Sequence, residues 1–337
     1  MVHDKKMGAN SIIIVFFFFL FNYHSYSQES GTILTKEEKD SILENIGHFF
    51  QDFYVFPEQG KKIREILRIS NANATFDTIT DPLDFRKSVQ TIIRNTVADK
   101  HIIFIYTGSR TNKFEDTGAS VPVSDLKLEY DKRKESNFGI PELKVLENNI
   151  GYVKVSKFTS PELFGPVVRA SSEYLKNVEG LILDLRSRGG GSSESVVLLL
   201  SYFLPPEKPV FYWLDREGKE IERNYTLPYV DGQRFKNIPI AILTSQETFS
   251  GSEAFCYAMK NHRNAMLIGE TTKGGAHTYL EMFPSDKYLI LVPHQRVMGV
   301  KTNRNWEGSG VAPTISAPSE ESLEVAKRIL IEKMEKN

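Results

Sequence analysis

Apolar residues recur with two periods along this chain, and the switch between them divides it. From 35 to 100 the spacing is helical. Ile42, Ile46, Phe49, Phe50 and Phe53 form the i, i+3, i+4 stripe of an amphipathic helix. Thr35-Lys36-Glu37-Glu38 ahead of them has the pattern of a capping box. Pro57 interrupts. A second amphipathic segment covers Lys61–Ile69 and a third Pro82–Val97, with Pro82 in the first turn, where its missing N–H is least costly. These segments predict a small N-terminal helical domain over 28–98.

Asp99-Lys100-His101 ends that pattern, and Ile102–Tyr106 follows as a β-rich run. Residues 107–136 are polar and read as a loop or edge region. From about 138, apolar runs of strand length alternate with helical ones. Strands are expected at Ile150–Val155, Gly180–Leu185, Pro209–Leu214, Ile238–Leu243 and Met266–Gly269. Helices are expected at Pro161–Leu175, Ser192–Phe203 and from Ser250 onward. Thr278–Phe283 and Tyr288–Val292 form a hairpin pattern, and Glu320–Glu335 a closing helix. Strands alternating with helices predict an α/β fold, a sheet joined by crossover helices, over 99–337.

The first residues are read as outside the fold. Lys5 and Lys6 precede an apolar run from Ile12 to Phe21, and Ser25-Tyr26-Ser27 then precedes Gln28. A basic start, a short apolar core and small-x-small residues are the marks of a signal peptide over 1–27. The run is short for a membrane span. Export to a periplasmic or extracellular location is expected, with no integral span after cleavage; an uncleaved anchor is the alternative. The net charge of −1 gives no footprint for nucleic acid. The single cysteine, Cys256, rules out an intrachain disulfide and a cysteine-rich metal site.

Candidate chemistry centres on residues 238–277. A serine at the start of a helix that follows a buried strand is well placed as a nucleophile, because the helix N-terminus offers free N–H groups to a developing oxyanion. Ser250 and Ser252 both fit, and both also fit as helix caps. Three other features could converge there. Gly189-Gly190-Gly191, after the strand that ends near Asp184, lets backbone N–H groups approach a ligand; it is also an ordinary turn composition. A serine needs a base, and His101 and His277, both at element boundaries, are not separated by spacing alone. Glu307 could orient such a base, although most glutamates are solvated surface groups.

Taken together these motifs resemble the S41 family of serine peptidases, which includes the tail-specific (C-terminal processing) proteases, the tricorn core and the interphotoreceptor retinoid-binding repeats. The carriers are Asp99-Lys100-His101, Asn149-Ile150-Gly151-Tyr152 with Phe158, Leu183-Asp184-Leu185-Arg186 with Gly190-Gly191, Thr244-Ser245 with Thr248 to Glu253, Gly269 to His277, and Gly310-Val311-Ala312-Pro313. The resemblance implies a ClpP/crotonase-like core with a mixed sheet and crossover helices. It places the nucleophile at Ser250, three residues before Glu253. Tail-specific members carry a base lysine at the position of Gly275, and Lys273 is two residues early. The tricorn and retinoid-binding branch takes its histidine from the Asp-x-His motif, which selects His101, with Glu307 orienting the base side. Gly190 and Gly251 N–H would form the oxyanion hole. No metal or organic cofactor is implied, and the expected partner is a peptide or protein substrate. The interval from His101 to Ile150 is too short for the PDZ domain of tail-specific members. An apolar-ligand carrier on the same fold is the alternative function.

Overall fold

The computed structural model describes residues 33–108, 130–131 and 133–336. The expected signal segment and most of the polar stretch after Tyr106 lie outside these. The chain opens with helices α1 (Lys36–Phe53), α2 (Pro57–Ala72) and α3 (Pro82–Thr96). Thr35 caps α1 as a capping box: its hydroxyl accepts from Glu38 N–H, and the Glu38 carboxylate accepts from Thr35 N–H at 2.9 Å. Pro57, read as an interruption, is instead the first residue of α2, where its fixed φ suits the helix.

Eleven strands follow among the described residues, in two sheets. One is antiparallel, in the order β1 (Ile103–Tyr106), β10 (Tyr288–Gly299), β5 (Pro209–Leu214), β6 (Glu220–Tyr225), with β9 (His277–Ser285) pairing β10 on its other side. The hairpin expected from 278–292 is this β9–β10 pair. The other sheet has the order β11 (Ile315–Ser316), β8 (Met266–Gly269), β7 (Ile240–Thr244), β4 (Gly180–Asp184), β3 (Ile150–Lys154), β2 (Glu142–Leu146). All its pairs are parallel except β2–β3. Helices α4 (Pro161–Tyr174), α5 (Ser193–Leu200) and α6 (Gly251–Arg263) make the crossovers, and α7 (Ser322–Met334) closes the chain. The edge strands β2 and β6 escaped the sequence reading; both are half-exposed or exposed, and β6 is largely polar.

Alternation along the parallel strands feeds two cores. Leu181, Leu183 and Ile242 point into a cluster with Phe158, Phe164 and Phe255 under α4–α6. Ile182, Ala241 and Leu243 point to the other face, against Ala326 and Leu330 of α7. Burial on both faces is why β4 and β7 read as unbroken apolar runs. The N-terminal helices share a third cluster with the antiparallel sheet, where Ile46, Phe50, Phe85 and Ile93 meet Phe104, Tyr288, Ile290 and Val292. Phe104 stacks on Tyr288 with ring centroids 5.0 Å apart. No helix among the described residues is long and apolar enough to cross a membrane.

Because Phe104 is fully buried at the junction of helices and sheet, Phe104→Ala is expected to lower stability by about 3–5 kcal/mol. A single cooperative transition in urea that moves by this amount for both helical and aromatic signals checks it. A shift in one signal alone would separate the helices from the sheet.

Candidate active site

The two halves of the fold meet at the site. Ser250 lies between β7 and α6, on the parallel-sheet side; Asp99 and His101 lie between α3 and β1, on the helical side. The motifs around Ser250 explain its position. Thr248 Oγ1 donates to Leu185 O at 2.8 Å and Ser245 Oγ to Arg186 O at 2.6 Å, so the loop after β7 is tied to the loop after β4. Asp184 anchors that second loop: Arg186 donates to both its oxygens, at 3.0 and 2.6 Å, and Tyr152 OH donates at 2.7 Å. The Asp-Leu-Arg stretch is therefore structural.

This arrangement brings Gly190 and Gly191 against Ser250 and Gly251. A Cβ on Gly190 would stand 3.5 Å from Ser250 Cβ, and one on Gly251 would stand 3.4 Å from Gly191 N. Gly190 O accepts from Phe158 N–H at 2.9 Å. A planar trans peptide then turns the Gly191 N–H away from Phe158. Gly191 has φ +141°, and its Cβ would fall 1.9 Å from Phe158 O, so only glycine fits. Ser250 itself has φ 55° and ψ −119°. That conformation costs a serine on the order of 1–3 kcal/mol.

Ser250 Oγ is 3.3 Å from His101 Nε2. His101 is 2% exposed, and burial pushes its imidazole down to about 4, against the pull of Asp99. Its ring lies face to face with Phe249, tilted by 30°, at 4.6 Å. Gly275 makes room for both: a Cβ there would come within 2.6 Å of the His101 ring and 2.3 Å of the Phe249 ring. Lys273 points elsewhere, its Nζ 3.3 Å from the Glu247 carboxylate.

Two carboxylates, Glu307 and Asp99, meet His277 near His101. Glu307 was expected beside the base histidine. Its Oε2 instead accepts from Ala276 N–H at 2.5 Å, which turns the carboxylate to His277 Nδ1 at 3.6 Å. The carboxylate next to His101 is that of Asp99, in the same motif. Its Oδ1 accepts the His101 backbone N–H at 2.9 Å and lies 4.0 Å from His101 Nδ1. Its Oδ2 accepts from His277 Nδ1 at 2.7 Å and Tyr54 OH at 3.2 Å. Burial works to raise the Asp99 pKa, but the His277 bond, the two imidazoles and the His101 N–H hold it below the usual carboxylate value. Burial raises the Glu307 carboxyl to about 7. The ligand atoms of Asp99, His277 and Glu307 lie within 4.8 Å of one another, a spacing that a metal ion could bridge. They are already joined by the His277–Asp99 hydrogen bond and the His277–Glu307 approach.

The sequence reading used Glu253 to locate Ser250, three residues before it, and gave it no contacts of its own. It is fully buried and accepts four hydrogen bonds: Ser250 N–H at 2.9 Å and Gly275 N–H at 2.8 Å on Oε2, Thr272 OH at 2.5 Å and Gly274 N–H at 2.6 Å on Oε1. Ser252, the alternative nucleophile, is fully buried, with its Oγ only 2.4 Å from where a Gly189 Cβ would stand. Cys256 is buried in α6, and burial raises its thiol well above the usual range.

Comparison with known proteins agrees with this architecture. The profile of Peptidase family S41 matches residues 149–317. A carboxy-terminal processing protease, CtpB, of Bacillus subtilis (strain 168) is 26% identical over 178 residues, covering 52% of this chain and 35% of the relative. The matched stretch spans only 28–36% of the length of such curated relatives. Among solved structures, a lipoprotein from Streptococcus agalactiae superposes with a TM-score of 0.58 at 18% identity, covering 92% of this chain and 99% of that one. The tricorn protease superposes at 0.54 and 13% identity, covering 89% of this chain and 37% of that one.

Glu253→Gln is expected to destabilise the fold by about 2–4 kcal/mol, since either amide orientation sets an NH2 against two donors and leaves buried groups unpaired. Chemical denaturation checks this; an unchanged midpoint would mean the four bonds carry little.

Proposed function

Since the chain belongs to peptidase family S41, we propose that it hydrolyses peptide bonds with Ser250 as nucleophile and His101 as base, the reading carried by the 3.3 Å approach of Ser250 Oγ to His101 Nε2. His101 Nε2 takes the serine proton as Oγ attacks the substrate carbonyl, then gives it to the leaving amine. Neutral imidazole is needed for the first step, and burial of His101 favours that form. Asp99 takes the orienting role expected of Glu307: it is ionised, adjacent, and 4.0 Å from Nδ1, a gap that closes when the imidazolium forms.

The oxyanion is received by Gly251 N–H, at the start of α6, and by the Gly190–Gly191 turn. The direction of the Gly190–Gly191 peptide favours the Gly191 N–H as the second donor, one residue past the expected Gly190. The conformation of Ser250 supports the same reading, because its strained backbone, φ 55° and ψ −119°, stands beside the 3.3 Å approach of Oγ to His101. Export follows from Lys5, Lys6 and the apolar run to Phe21, so the substrate is an extracytoplasmic peptide or protein.

A fluorophosphonate probe should label wild-type protein on Ser250. Ser250→Ala should abolish labelling, and His101→Ala should slow it by about a thousandfold or more. Absence of labelling, with no cleavage across a broad peptide panel, would sink the reading. The pH profile gives a second check. A base with its pKa lowered to about 4 stays neutral as pH falls through the ordinary histidine range. The acid limb of the labelling rate should therefore have its midpoint near pH 4. A midpoint near about 6.5, the unperturbed histidine value, would mean that the base is a solvated histidine.

A further inference from the structure

Asp99 carries two kinds of contact on its two oxygens. Oδ1 faces His101, through the backbone N–H at 2.9 Å and Nδ1 at 4.0 Å. Oδ2 faces away and receives His277 Nδ1–H at 2.7 Å and Tyr54 OH at 3.2 Å. An ionised carboxylate only accepts, so the proton on this bond belongs to His277 Nδ1. His277 is itself packed: Phe56 lies edge-on at 5.6 Å, and Glu307 Oε2, which accepts from Ala276 N–H, comes within 3.6 Å of the same nitrogen without a hydrogen bond to it. His277 and Asp99 are 4% and 5% exposed, so water cannot readily replace these bonds.

We propose that His277 is a positioning residue for the reaction. It pins Asp99 Oδ2 so that Oδ1 stays turned to His101. The proposal rests on the assignment of Ser250 and His101 as nucleophile and base. Without the His277 donor, Tyr54 alone would hold Oδ2. The carboxylate would then be free to rotate, and burial would favour its protonated form, which cannot stabilise an imidazolium. His277 is thus not an alternative base: its Nδ1 is committed to Asp99, and Ser250 Oγ is met by His101.

Three variants separate position from mere presence. Asparagine sets an N–H close to where Nδ1 stood, with no ring. Phenylalanine keeps the ring and removes the donor. Glutamine keeps a donor but carries it past Asp99. Fluorophosphonate labelling of Ser250 should be retained within about fivefold in His277→Asn and fall about 10–100-fold in both His277→Phe and His277→Gln. Nitrogen-15 NMR of the His101 ring reports the same effect without turnover. The Nδ1-protonated tautomer should persist in wild type and His277→Asn and give way to a mixture in the other two. Should His277→Phe not fold, His277→Gln carries the test alone. Wild-type labelling and tautomer in His277→Gln, or equal loss in His277→Asn and His277→Gln, would overturn the proposal. An unlabelled wild-type protein would instead overturn the nucleophile and base assignment, and the tautomer measurement would still judge His277.

Discussion

One buried carboxylate organises the site. Glu253 is shut off from solvent and, among the described residues, pairs with no cation; four donors, from Ser250 and from Thr272 to Gly275, bond to its carboxylate. Those donors include the backbone of Ser250 and of the Gly274–Gly275 turn. A group that must collect four bonds or suffer the desolvation of a bare charge fixes its donors relative to one another. The backbone of Ser250 and the glycine turn that leaves space for His101 are thereby set by a residue that does not face the reacting atoms.

The site also depends on two separate cores meeting. Ser250 and the Gly190–Gly191 turn hang from a parallel sheet buried on both faces, while Asp99 and His101 hang from helices and an antiparallel sheet with their own apolar cluster. Only a few polar contacts join the two at this point, among them the bond from Lys100 Nζ to Lys273 O. The 3.3 Å approach of Ser250 to His101 is therefore a property of how the two parts dock, not of either alone.

How much of this could be read from the sequence follows from what each signal depends on. The strands β4 and β7 and the helix after Ser250 were visible because burial on both faces and a 3.6-residue period leave local marks. Edge strand β6 leaves none, since its polar residues satisfy no pattern that a solvated loop would not, whereas the short alternation Glu-Leu-Lys-Val-Leu of β2 was passed over inside a polar stretch. At the site, Ser250 and His101 were reached through motifs, and the placement of Glu307 was not. Glycines at 308 and 310 put that carboxylate on a turn whose path depends on Gly274, which approaches Gly308 and Gly310 within 3 Å of its would-be Cβ. Asp99 stood in the same three-residue motif as His101. Its role was hidden because one carboxylate shared between two histidines is a three-dimensional fact, with partners 178 residues apart.

The missing side chain at Gly275 has an evolutionary consequence. Relatives of the tail-specific kind are expected to carry their base lysine at this position, but here the space is occupied by the rings of His101 and Phe249. A lysine introduced alone would collide with the rings of His101 and Phe249, and loss of His101 alone would remove the base proposed above. On the proposed assignment, the histidine and lysine versions of this site are therefore at least two substitutions apart.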